Sequence, residues 1–164
     1  MDVSIPWDLG FDKKAKHAYV AALHIGLNKK MPDKMISEVT TACPDEFGRM
    51  LSPYNIIVNG VSLEDMWKTA KVNGYSDFYW GSGNPSVGFD HFYAYYALYL
   101  LPLIRRIDIF TDIFYNPMKA HNTQARACAV LKLLAEENKL KLLQDKSEYV
   151  RWYINATNNL FGGE

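Results

Sequence analysis

The chain has 164 residues and no net formal charge, 18 acids against 18 bases. That is length enough for one domain with its own core, without the concentrated positive charge of a nucleic-acid binder. Aromatic residues make up 14% and charged residues 22%, the composition of a folded protein rather than a disordered tail. Its two cysteines, Cys43 and Cys128, form no CxxC pair, which leaves two reduced, buried thiols and no zinc ribbon, redox motif or disulfide framework.

Residues 1–11 read as an extended N-terminal arm, broken at Pro6 and Gly10 and anchored by Ile5, Trp7 and Leu9. The start of the chain has no basic stretch leading into an apolar one, so it is not a secretory signal. A cytoplasmic place, or one in an assembled particle, is expected. From residue 12 onward a single helical domain follows. A first helix is predicted over 12–28, capped by Asp12, with Tyr19, Ala22, Leu23 and Gly26 on one stripe. Pro32 can open a second, to about Thr41. Pro44, Asp45 and Glu46 look like another start, of a short helix ending near Leu51.

Residues 54–61, YNIIVNGV, have strand character and run into Asn59-Gly60, the pair favoured in type I′ hairpins. Ser62 then caps a helix to about Val72, with Asp65 at the capping-box position and Asn73-Gly74 closing it. Residues 75–88 are aromatic and glycine-rich and read as an ordered loop.

The stretch 89–117 carries nine of the 23 Phe, Tyr and Trp side chains. Two helices are expected there, broken at Pro102, the second with Leu103, Ile107, Phe110 and Phe114 inward. Its 13 uncharged residues from Phe92 to Ile104 are too few for the ~20 of a membrane span, although contact with a membrane surface stays open. A helix over 117–143 with Ala127, Leu131 and Leu134 inward should follow. Asp145 or Ser147 should cap a last one, to about Phe161, bearing Tyr149, Trp152, Tyr153 and Leu160. The fold class is therefore mainly α: a bundle of about six helices with at most one short β-hairpin.

Motifs of chemistry are sparse. His17 and His24, seven apart, share a helix face ~10 Å from each other, too far for joint ligation, and no Glu-x-x-His or His-x3-His occurs. No metal site and no cofactor is expected. Asp90-His91 follows Ser82 and Ser86, so a Ser-His-Asp arrangement can be drawn from Ser82, His91 and Asp90. No G-x-S-x-G elbow supports it, and Asp90 capping the aromatic helix with His91 packed at its first turn is the simpler account. The segment 81–88, GSGNPSVG, has glycines like a phosphate loop but lacks the GK[ST] ending. Asp108 and Asp112, four apart and near Arg105, suggest an ion-pair ladder on one helix.

The aromatic run offers the other signal. Tyr93, Tyr95, Tyr96 and Tyr99 spread over roughly 160° of a helix at ~100° per residue, wider than a core stripe needs, and Tyr and Trp dominate interface energetics. Trp7, Phe92, Tyr93, Tyr95, Tyr96 and Tyr99 are accordingly the candidate interface, for a protein partner or for self-association. The resulting functional expectation is a non-enzymatic structural or assembly subunit of a larger complex, such as a virion component. Two alternatives stand beside it: a small hydrolase with a site around the glycine-rich loop, Asp90 and His91, and a soluble inhibitor or binding module.

Overall fold

The computed structural model describes residues 13–73, 86–113 and 123–161. The arm with Trp7, most of the glycine-rich loop with Ser82, and the expected Phe114 contact lie outside the described residues.

The fold is mainly α with two small two-stranded sheets. Helix α1 spans Lys13–Lys30 and buries Tyr19, Val20 and Leu27. Where a second helix was expected, Ile36–Glu38 is instead a strand, β1. It pairs in parallel with β4, Ile109–Thr111, in the register Ile36 to Ile109. That pairing also corrects the expected second aromatic helix, which stops at Ile104 and continues as strand. The reason is visible at Met35, whose amide donates to Asp108 Oδ2 and whose carbonyl accepts the amides of Asp108 and Ile109. Three hydrogen bonds to Asp108 and Ile109 thus fix the strand start, and a helix there could not make them.

Helix α2, Glu46–Met50, is capped by the Asp45 carboxylate accepting from the Phe47 amide at 2.9 Å. It lies directly on β1: a Cβ on Gly48 would sit 2.3 Å from the Glu38 carbonyl oxygen and 2.4 Å from Cys43 Sγ. Strands β2, Ile57–Val58, and β3, Val61–Ser62, form the predicted hairpin. Asn59 and Gly60 both have positive φ, 51° and 82°, as a type I′ turn requires. Ser62 caps α3, Leu63–Val72, by accepting the Asp65 amide and donating to its carboxylate.

Helix α4, Val87–Tyr96, starts two residues before the predicted Phe89. A 3-10 turn, Leu98–Leu100, leads to the short α5, Leu101–Ile104, with Pro102 in its first turn, where its missing N–H costs nothing. Helix α6 is Gln124–Glu136, which ends before the predicted Leu143; residues 117–122 of the expected helix lie outside the described residues, and a separate 3-10 turn covers Leu140–Gln144. Helix α7, Lys146–Phe161, is entered at Asp145, whose side chain accepts the Glu148 amide.

The core lies between α3, α4, α6 and α7. Trp67, Phe89, Phe92, Tyr93, Leu131, Leu134, Tyr149 and Tyr153 are all buried in it. Tyr93 shows how tightly α4 is held, its hydroxyl donating to the Leu51 carbonyl at 2.6 Å beside Cys128. No helix among the described residues is long and apolar enough to cross a membrane.

Candidate active site

The sequence-derived candidates separate in space. Asp90 is fully buried in α4. Arg126 on α6 grips it through Nε at 2.7 Å and a second guanidinium nitrogen at 3.2 Å, and the Tyr153 hydroxyl donates to the same carboxylate at 2.5 Å. Burial raises the Asp90 pKa, opposed by the charge and hydrogen bonds of Arg126. Asp90 does not cap the helix as expected, because α4 begins one turn earlier and Asp90 lies within it.

The neighbouring His91 points elsewhere, as adjacent helical residues must. Its Nε2 donates to the Leu143 carbonyl at 2.9 Å, and burial lowers its pKa. Its ring stacks edge-on to Tyr149 and lines an apolar groove with Phe92, Tyr95 and Tyr96. Asp90 and His91 therefore do not meet as a pair. Among the interface candidates, Phe92 and Tyr93 are interior, while Tyr95 is 44% and Tyr99 61% exposed. The Asp108–Asp112 ladder does not form: Asp108 joins Met35 and Lys132, and Asp112 accepts from Thr123 and the Gln124 amide.

A different set of side chains converges. Helix α3 presents Glu64, Trp67, Lys68 and Lys71 to one cleft of about 690 Å³. Their spacing, i, i+3, i+4 and i+7, puts all four on one helical face. Thr40 and Thr41, from the turn after β1, and Ser52 and Tyr54, from the segment between α2 and β2, also line it. Phe89 of α4 and Gln124 at the start of α6 complete the lining.

Local chemistry fixes each wall. Trp67 is wedged against Phe89 and Phe92 at ring distances of 5.5 and 5.2 Å, geometries worth ~0.5–1.5 kcal/mol per pair. The Glu64 amide donates to the Pro53 carbonyl at 3.1 Å, which pins the start of α3 to the Ser52 side of the cleft. Arg49 donates to the Cys43 and Pro44 carbonyls, both at 2.8 Å, and so secures the loop beyond Thr41. Lys68 Nζ lies 4.0 Å from Glu64 Oε1 and 3.8 Å from Asp65 Oδ1, at a largely exposed position. The cleft thus combines one carboxylate, two ammonium groups, hydroxyls and an aromatic wall. That is equipment for acid–base chemistry on a polar ligand with a flat ring. Among the described residues no group of three or more His, Cys, Asp or Glu could hold a metal ion.

None of these α3 residues was singled out from the sequence, although the period of Glu64, Trp67, Lys68 and Lys71 was there to be read. Comparison with known families gives the remaining observation. Residues 75–159 match the DarT1-associated NADAR antitoxins, just over half of the chain. The chain belongs to this family. Of the cleft, Phe89 and Gln124 fall within the matched span, while the α3 face precedes it. No curated protein matches the sequence. Membership in an antitoxin family overturns the expected structural or assembly subunit and virion component. The physical reason is that the aromatic run, taken as a partner surface, spends Phe89, Phe92 and Tyr93 on the interior.

Proposed function

We propose that this chain is a hydrolytic antitoxin that opposes a DarT1 toxin by cleaving the product the toxin leaves, rather than by plugging the toxin itself. The observation that carries this reading is the α3 face, where Glu64 stands beside Lys68 and Lys71 next to the Trp67 wall. An antitoxin that only covered its toxin would have no use for a concave site of this composition.

The substrate class that fits is a nucleotide-like group. Its ring would lie against Trp67, Phe89 and Tyr54, and its phosphates would meet the two lysines, which are strong anion partners. Water would attack the atom through which the nucleotide-like group is joined to its target, its oxygen bonding there as the bond to the target breaks. Glu64 would take the water's proton and return it to the departing target, while Lys68 or Lys71 offsets negative charge developing on that leaving group. Gln124 and the threonine hydroxyls would fix the polar edge of the ring or sugar.

Co-expression with a DarT1 toxin tests the reading. Wild-type chain should restore growth, and Glu64→Gln, which changes one atom at a partly exposed position, should not, at equal protein level. A second reading has its own support in the exposed Tyr95, Leu98 and Tyr99, which could seat the toxin directly. In that case Glu64→Gln would protect fully and Tyr95→Ala with Tyr99→Ala would not.

A further inference from the structure

Beneath the cleft just assigned, on which this inference rests, lies a carboxylate that the hydrolytic reading does not use. Glu38 closes β1 and is fully buried. Its Oε1 accepts the Thr40 hydroxyl at 2.7 Å and the Ile113 amide at 3.0 Å, and its Oε2 accepts the Thr111 hydroxyl at 2.5 Å. The Thr111 oxygen is in turn 2.9 Å from His24 Nε2 on α1. Thr40, with its proton committed to Glu38, accepts the Ala42 amide at 3.2 Å. Among the described residues the groups acting on Glu38 include no cation.

Three donors and no acceptor converge on this carboxyl group, the arrangement an ionised acid needs. A neutral acid in the same place would force one donor to reverse. A buried charge without a cation is expensive as a mere staple between β1 and β4, since an amide or apolar pair would hold the strands at less cost. What the carboxylate reaches that a staple would not need is Thr40, a cleft residue.

We propose that Glu38 is a positioning residue for the cleft: as a carboxylate it locks the Thr40 hydroxyl and the turn after it, and so sets the Thr40–Thr41 part of the substrate floor. The titratable groups facing it are His24 from α1, Asp112 beyond β4 and Cys43 from the following turn. Burial lowers the His24 pKa and raises that of Cys43, so neither gains charge near neutrality. Glu38 itself is pushed up to about 7 by burial, against the hydrogen bonds of Thr111, Thr40 and Ile113, with Asp112 adding to the rise. The lock is therefore closed above neutrality and open below it.

Two measurements on the whole chain decide the matter. The first is binding of diadenosine diphosphate, whose rings and pyrophosphate suit the cleft and whose phosphates do not titrate near neutrality. Wild-type affinity should rise about fivefold from pH 6 to pH 8, the value of one recovered hydrogen bond. Glu38→Gln should be flat, and Thr40→Val, which keeps the shape but not the hydroxyl, should be flat at the weak value. The second is threonine-methyl NMR without ligand. In the wild type the Thr40 and Thr111 signals should move together with a midpoint near 7, and in Glu38→Gln they should stay still.

Equal pH profiles in wild type and Glu38→Gln, or a Thr40 signal that does not titrate, would overturn the proposal. If the dinucleotide fails to bind wild type at any pH, the nucleotide reading of the cleft falls. The threonine signals then decide for Glu38 alone: joint titration upholds its hold on Thr40, and no movement ends it.

Discussion

The Tyr153 hydroxyl on α7 donates to Asp90 Oδ2 on α4 at 2.5 Å, and Arg126 on α6 donates to both oxygens of the same carboxylate. One buried acid thereby ties together three helices of the core. Removing it should unfold the protein before it touches any chemistry. Asp90→Ala is expected to cost about 3–5 kcal/mol, because it removes the buried acceptor of the Arg126 and Tyr153 hydrogen bonds. Tyr153→Phe should cost about 1–2 kcal/mol. Urea unfolding followed by circular dichroism checks both. A value near zero for Asp90→Ala would mean that the triad holds nothing together.

Glu64 is the opposite case. Its side chain is 22% exposed on the cleft face of α3, so Glu64→Gln should change stability by less than about 0.5 kcal/mol while abolishing protection against the toxin. Lys71→Ala should also spare the fold and weaken protection. Growth on toxin induction, paired with a melting curve for each variant, separates loss of chemistry from loss of protein. Full protection by Glu64→Gln would remove this residue from the reaction.

Gly48 makes a prediction about packing. Any Cβ there would lie 2.3 Å from the Glu38 carbonyl oxygen, which belongs to the backbone and cannot swing aside. Gly48→Ala should therefore push α2 off β1 and cost about 1–3 kcal/mol or more, in spite of alanine's better helix propensity. Because α2 leads into Ser52 and Tyr54, protection should fall with stability. A stabilised Gly48→Ala variant would show that α2 does not sit on β1 as described.

Stability should respond to pH through Glu38. Its folded pKa of about 7 lies above the ordinary 4.5, so the folded state holds the proton more tightly than the unfolded one. The sign follows: the cost is absent below the ordinary value, grows as pH rises through the interval, and is complete above neutrality, at about 3 kcal/mol. Glu38→Gln should match wild type near pH 4.5 and be more stable at pH 8. Denaturant midpoints at the two pH values measure this. An advantage that shrinks as pH rises would contradict the assignment.

Much of the local structure was legible because its causes are local. Asn59-Gly60 fixed the hairpin turn, Ser62 with Asp65 fixed the start of α3, and Asp45 that of α2. The β1–β4 pair was not, since three-residue strands carry almost no pattern and their partners lie 73 positions apart. The same distance hid the role of Asp90, whose partners Arg126 and Tyr153 are 36 and 63 residues away. In the cleft, Glu64, Lys68 and Lys71 each look like solvated helix charges. They acquire meaning only when Phe89, Gln124 and Thr40 arrive opposite them from other elements.

The parallel pairing of Ile36–Glu38 with Ile109–Thr111 also limits how the molecule can be cut. A fragment trimmed to the span that matches the family, residues 75–159, would carry β4 with its hydrogen-bonding edge bare. It would also present Phe89 and Phe92 without the indole of Trp67 that covers them. A naked strand edge beside uncovered rings is a template for association with other chains. The matched stretch is thus a recognisable part of the molecule that should precipitate when made alone.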